Sequence, residues 1–355
     1  MSQIKKLIGA IGLPRIIIGL FLVALFCVAP FYNISPVKSL SDVINRVGMN
    51  GILVLSMIPM IQSGCGLNFG IPVSLISGIL GSVFSLELGY TGITGIAVAI
   101  GIAAVCGTIL GFLYGILLNR VKGDEMIIAT YVGFAFVYVM NIFWLSFPFR
   151  NPGSIQGFKG EGLRTTISVE NNWERVISDF LAIKIGSNGG SPPQFRFIFP
   201  TGMILVFAIM CLLVWLFFRT KTGTAMTAVG SNPEYARAAG ISINKMRTIS
   251  VVLSTVIAAV GTVVYQQSFG FIQTYTAPLA FAFPSVAAIL LGGASVNKAS
   301  IKNVVIGTIL FQGILTMAPS VINSMIEIDA SEVFRIIVTN GMILYALTRK
   351  TRQTL

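Results

Sequence analysis

Long apolar runs, broken by short clusters of Gly, Pro, Asn and charged residues, recur along the whole chain. They fall near 16–31, 48–62, 70–86, 93–118, 126–147, 198–218, 248–267, 282–292, 303–318 and 333–347, about ten in all. With interfacial ends counted, each except 282–292 is compatible with the roughly 20 residues a helix needs to cross a hydrocarbon core. The run at 282–292 is too short to cross alone. A broken or partly re-entrant element is expected there, shielded by its neighbours. The pattern predicts an all-α, polytopic helical membrane bundle of about ten spans, forming a single domain over 1–355.

Composition sharpens this. Of the 355 residues, 55% are apolar and only 10% are charged, where soluble domains carry about 25% charged residues. Two soluble domains are thereby excluded, and lipid is the expected solvent. No secretory cleavage pattern follows the first run, which reads as a retained span. Cys27, Cys65, Cys106 and Cys211 lie in or beside apolar runs and read as small buried hydrophobes. The absence of histidine removes the commonest general base and metal ligand. No catalytic or metal site is expected.

Charge sets the sidedness. With the N-terminus inside, 15 of the 24 basic residues fall inside with only three acids, Asp124, Glu125 and Glu234. The inside loops then carry the whole net charge of +12, and the outside is balanced. This is the asymmetry of the positive-inside rule, and it places both termini in the cytoplasm. A basic patch for nucleic acid is not needed to explain the charge. The interiors of the expected spans show no clear Asp, Glu, Lys or Arg, which argues against an ion-driven mechanism and points to energy supplied by another subunit.

Two loops stand out. The outside loop 148–197 carries Trp173, Val176, Ile177, Phe180 and Leu181 at helical spacing, which predicts an amphipathic helix. It would lie at the membrane interface, pack as a lid or form part of a receptor platform. The inside loop 219–247 contains a short helix with strong end signals. Ser231 or Asn232 is its N-cap, Pro233 suits its first turn, and Glu234 completes a capping box with Ser231. Tyr235, Ala236, Ala238 and Ala239 make a small apolar face, and Gly240 stops the helix. Such a helix serves equally as a plain connector or as a part that docks in a cytoplasmic motor.

Glycines mark three further places. Gly64 and Gly66 break a helix beside the polar Gln62, Ser63 and Asn68. This is either a packing notch or a polar path through the bundle; the spacing does not fit a dinucleotide fingerprint. Gly107, Gly111 and Gly115 allow close helix approach, within the chain or between subunits. The stretch from Gly292 to Ser300 misses a P-loop because Asn297, not glycine, precedes Lys298. Any ATP would therefore be bound by a partner.

The run Ala228 to Ile241 resembles the coupling segment of permease subunits of ABC importers, specifically the ribose-type and branched-chain amino-acid-type family. Gly64 to Val73 and Ala287 to Ser295 are similar to two glycine turns of the same family, in matching order from about residue 45 to the end. Leu67-Asn68 stands where the family often has an acid. The resemblance implies a plasma-membrane permease that carries a small polar solute, a sugar or nucleoside before a branched-chain amino acid. It implies contact with cytoplasmic ABC ATPase subunits through Ser231, Asn232, Pro233, Glu234, Ala236, Arg237, Ala239 and Gly240. It implies a translocation path including Gln62, Gly64, Gly66, Asn68, Phe69 and Gln266. It also implies a second permease subunit, self or paralogue, an outside solute-binding protein, and no cofactor on this chain. A secondary carrier that works alone is the alternative; an intramembrane enzyme lacks its residues, and the broken spans disfavour a mere scaffold.

Overall fold

The computed structural model describes residues 13–121, 123–151, 165–187, 195–326, 332–333 and 336–341. Helix α1 (Leu13–Val28) is followed by a 3₁₀ turn at Pro30, and α2 (Pro36–Leu55) and α3 (Met57–Gln62) come next. Then follow α4 (Ile71–Glu87), α5 (Gly92–Arg120) and α6 (Glu125–Ser146). Three short strands, β1 (Thr166–Ser168), β2 (Ile183–Ser187) and β3 (Phe195–Phe199), precede α7 (Thr201–Arg219), α8 (Lys221–Ser231) and α9 (Pro233–Ala238). The remainder is α10 (Ile243–Phe269), β4 (Phe271–Gln273), a 3₁₀ turn (Ala277–Phe281), α11 (Ala282–Leu291) and α12 (Ile301–Ile326).

Among the described residues, seven helices are long and apolar enough to cross a membrane; α4 and the 277–291 segment are shorter apolar helices. The expected span at 333–347 lies largely outside the described residues.

The short α4 is the centre of the bundle, buried on almost every side. Its small residues explain how neighbours reach it: a Cβ on Gly78 would stand 2.6 Å from Ala259 O of α10, and one on Gly81 2.4 Å from Ala99 O of α5. The glycines of α5 form a seam inside the chain, against Val256, Val252 and Thr248 of α10.

Four expectations need correction. The second span begins at Pro36, twelve residues before the expected 48, with Ser35 accepting from Lys38 N as its N-cap. Its first half is amphipathic, so hydropathy alone passes over it. Asp42 and Arg46 therefore lie within a spanning helix, against the expectation of charge-free interiors. The helix is interrupted at Ser56, where Pro59 has no N–H to give the carbonyl four residues back.

The predicted amphipathic helix at 173–181 is a series of turns. Arg175 and Leu181 take φ +55° and +53°, which an α-helix does not allow. The segment is held from outside itself: Arg175 N donates to Gln267 O at 2.7 Å, and Gln267 Oε1 accepts from Ile177 N. Trp173 is fully buried, whereas Phe180 and Leu181 are exposed. β1 pairs antiparallel with β4, and β2 with β3. All four cysteines are free, and Cys27 is exposed rather than buried.

Candidate functional site

The end of the bundle that carries the 219–247 loop is organised around the turn after α3. Gly64 and Gly66 sit at φ +76° and +79°, a region open to glycine at little cost. Ser63 Oγ lies 2.6 Å from Ser250 Oγ of α10, and Gln62 Nε2 donates to Ala299 O. Arg247 donates to Gly64 O at 3.3 Å and forms a largely buried ion pair with Glu125 at the start of α6. Gly230, near the end of α8, packs directly on this turn. A Cβ there would stand 2.1 Å from Gln62 O and 2.9 Å from Gly64 N. Two of the three glycine-bearing stretches, 64–73 and 228–241, thus meet, and the turn after the third joins them through Ala299.

Beyond Gly230 the chain enters α9. Asn232, at φ −152°, is the N-cap, with Oδ1 accepting from Tyr235 N at 3.0 Å. Pro233 occupies the first turn, where its missing donor costs nothing. Ser231 is not the cap: it ends α8, and its hydroxyl donates to Thr227 O at 2.8 Å. The capping box is therefore unformed, and Glu234 faces Arg237 at 3.6 Å, both exposed. Ala236 is buried, Ala239 is exposed, and Tyr235 is 69% exposed. Gly240 takes φ +78° with open space around it, so backbone conformation alone selects glycine here.

Deeper in the bundle, Asn68 is completely buried. Its Nδ2 donates to Ser254 Oγ at 3.0 Å, and its Oδ1 accepts from Tyr114 OH at 3.2 Å. Ser254 Oγ donates in turn to Ser56 O at 2.7 Å. This network ties the broken second span to α5 and α10. Gly66 lies against Met126, and Phe69 meets Phe283 of α11 with ring centroids 5.7 Å apart. Gln266 is near the opposite end, buried and accepting from Ser82 Oγ of α4. The six expected path residues are thus spread from the turn after α3 to the far end, and no single described cavity contains them all.

The large polar cavity lies at the opposite end of the bundle, with a volume of about 690 Å³. Asp42, Asn45, Arg46 and Asn50 line it from α2, Tyr265 and Phe269 from α10, Phe281 from the 3₁₀ turn, and Gln312 from α12. Ser268 Oγ donates to Asn45 Oδ1 at 3.3 Å. Tyr265 stacks on Phe269 at 5.3 Å and meets Phe281 edge-on at 5.0 Å. Donors, acceptors and aromatic faces together suit a polar solute with a ring. Sequence reasoning missed the α2 contribution. Its signal is the spacing of Asp42, Asn45, Arg46 and Asn50, which puts four polar groups on one helix face.

The family described as branched-chain amino acid transport system / permease component matches residues 39–347. The chain belongs to this family. It is a permease subunit of an ABC importer, a multi-pass protein of the bacterial membrane and a transport component rather than an enzyme. It is 24% identical over 335 residues, 88% of this chain and 84% of the other, to the nucleoside ABC transporter permease protein NupB of Lactococcus lactis. It is 33% identical over 105 residues, 30% of each chain, to the autoinducer 2 import system permease protein LsrC of Klebsiella pneumoniae. A solved inward-facing structure of a metal-chelate type ABC transporter covers 87% of this chain and 85% of that one, with 11% identity and a TM-score of 0.44.

Proposed function

We propose that this permease carries a nucleoside, delivered by an outside binding protein, through a pathway formed with a second permease chain. The observation that carries this reading is the 690 Å³ cavity, where polar groups of α2 and Gln312 face the aromatic rings of Tyr265, Phe269 and Phe281. A base would stack on the rings and a ribose would bond to the amides and to Asp42 or Arg46. The name of the NupB relative, similar along most of the chain, supports this solute class. A sugar, the other solute class that the sequence resemblance implies, is the second reading.

In this account the helices form about ten spans, both termini are cytoplasmic, and the cavity opens outside. Loop 148–197 belongs to the outside and loop 219–247 is the cytoplasmic coupling loop of the single 1–355 transmembrane domain. ATP binds to partner ATPases, not to this chain, which needs no cofactor of its own. The motor grips Asn232, Pro233, Glu234, Arg237, Ala239 and Gly240, with Ser231 at the base; Ala236, expected in this contact, is buried and instead seats α9 on the bundle. Movement of α9 then passes through Gly230 to the Gln62–Gly64 turn and on through Arg247 and Ser250 to α10. Because α10 also lines the outer cavity through Tyr265 and Phe269, one rigid helix links motor and solute.

The test is uptake of labelled uridine into vesicles that hold this chain, its co-purifying ATPase and its binding protein. ATP-dependent uptake, competed by other nucleosides and not by leucine, supports the reading. Uptake of a free sugar alone would favour the second.

A further inference from the structure

A second site lies on the outward face of the α5–α10 pair, away from the solute cavity. The glycine seam closes the two helices, and beside it they leave a groove of about 910 Å³. Phe112, Ile116 and Ile249 are among its apolar walls, and Phe112 is 52% exposed with no protein covering it. At one end stand Arg120 and Lys245, both exposed. Asn119 bridges the helices there, its Nδ2 donating to Asn244 O at 3.0 Å and to Thr248 Oγ1 at 2.8 Å.

Three properties select the occupant. The walls are apolar, as an acyl chain requires. The charged end holds two cations and no carboxylate among the lining residues, and the nearby Glu125 is engaged by Arg247. From Thr108 to Arg120 the groove follows α5 for about 18 Å at 1.5 Å per residue, close to the roughly 15 Å of hydrocarbon in one leaflet. A buried polar solute would not fit such walls, and a neutral lipid would leave the cations unpaired.

We propose that the groove holds an anionic phospholipid of the cytoplasmic leaflet, with an acyl chain along Ile116 and Ile249 and its phosphate between Arg120 and Lys245. The sidedness follows from the charge distribution; the solute reading is not needed. Lys245 is two residues from Arg247, which holds the Gly64 turn. The lipid therefore steadies the first turn of α10 at the point where motor movement enters it.

The experiment places the full-length permease in vesicles of mixed phosphatidylglycerol and phosphatidylcholine, each in turn supplied as a photoactivatable probe. Labelled peptides are mapped by mass spectrometry. The expected result is label within 108–120 and 244–252, up to about thirty-fold stronger for the anionic probe given two nearby cations. The double variant Arg120→Gln/Lys245→Gln should lose that preference. Lys221→Gln/Lys302→Gln, which removes two exposed cations from the same end outside the groove, should keep it. Matching thermal transitions confirm that both variants fold. Equal losses in the two variants would reduce the effect to general surface charge and overturn the proposal. So would equal labelling by both probes, no label in the groove, or cross-linking of two copies through Ile116→Cys, which would assign the groove to a second chain.

Discussion

Gly230 and Gly64 pack backbone against backbone: a Cβ added to Gly64 would lie 3.2 Å from Gly230 Cα. A side chain at Gly230 would run into the Gln62 carbonyl. This contact joins the segment that leads into α9 to the turn that ends the broken second span. Because both partners are main chain, displacement of one is passed to the other with no soft side chain between them.

Gly230→Ala is expected to force the two apart at a cost of about 1–3 kcal/mol, the usual range for overpacking. The variant should still bind its ATPase through α9, yet lose much of its ATP-driven transport. ATPase activity and solute uptake measured on the same vesicles check this; equal loss of both would point to misfolding instead.

Gly240 separates conformation from contact. Its Cβ would touch nothing within 4 Å, so Gly240→Ala should destabilise the α9 stop by about 1–2 kcal/mol through the left-handed backbone alone. Gly240→Val should be worse, and Gly240→Asn close to wild type. Co-purification of the ATPase with each variant gives the order.

The Asn68 network predicts a graded loss. Tyr114→Phe removes one donor to Oδ1 and should cost about 1 kcal/mol. Asn68→Leu removes the acceptor of the buried Tyr114 hydroxyl and the donor to Ser254 Oγ, which keeps its own bond to Ser56 O, and should cost more, about 1–3 kcal/mol. Thermal unfolding in detergent reads both. Equal stability of Asn68→Leu and wild type would mean that the network does not hold these helices.

The Arg247–Glu125 pair is largely buried, so breaking it strands a charge. Glu125→Gln should cost about 3–5 kcal/mol, and the double change Glu125→Leu/Arg247→Met less than the single. A thermal-shift comparison of the two variants tests the order.

Much of this molecule is legible in its sequence, and the gaps have physical reasons. The Gly240 stop and the proline start of α9 are local signals, and local backbone chemistry decides them. The shortness of α11 was visible because hydropathy integrates over a window. The first half of α2 is hidden from hydropathy because Asp42, Asn45 and Arg46 dilute the apolar signal while facing the 690 Å³ cavity. The turns at 173–181 escape a periodicity argument because periodicity measures composition, whereas Gln267, about ninety residues away, decides the backbone there. Capping by Asn232 rather than Ser231 depends on where α8 stops, which two adjacent cap residues do not settle alone. The 690 Å³ cavity draws on α2, α10, the 277–281 turn and α12, so only the folded bundle assembles it.

The central claim is that α9 is the handle by which a separate motor drives this permease. The direct measurement is purification from the native membrane in mild detergent, for the wild type and for Tyr235→Asp, which alters an exposed ring of α9 without touching the bundle. The account predicts a stoichiometric ATPase subunit with the wild type, its loss in the variant, and an unchanged elution profile of the permease itself. A wild-type chain that purifies alone and moves uridine in vesicles without ATP would contradict it.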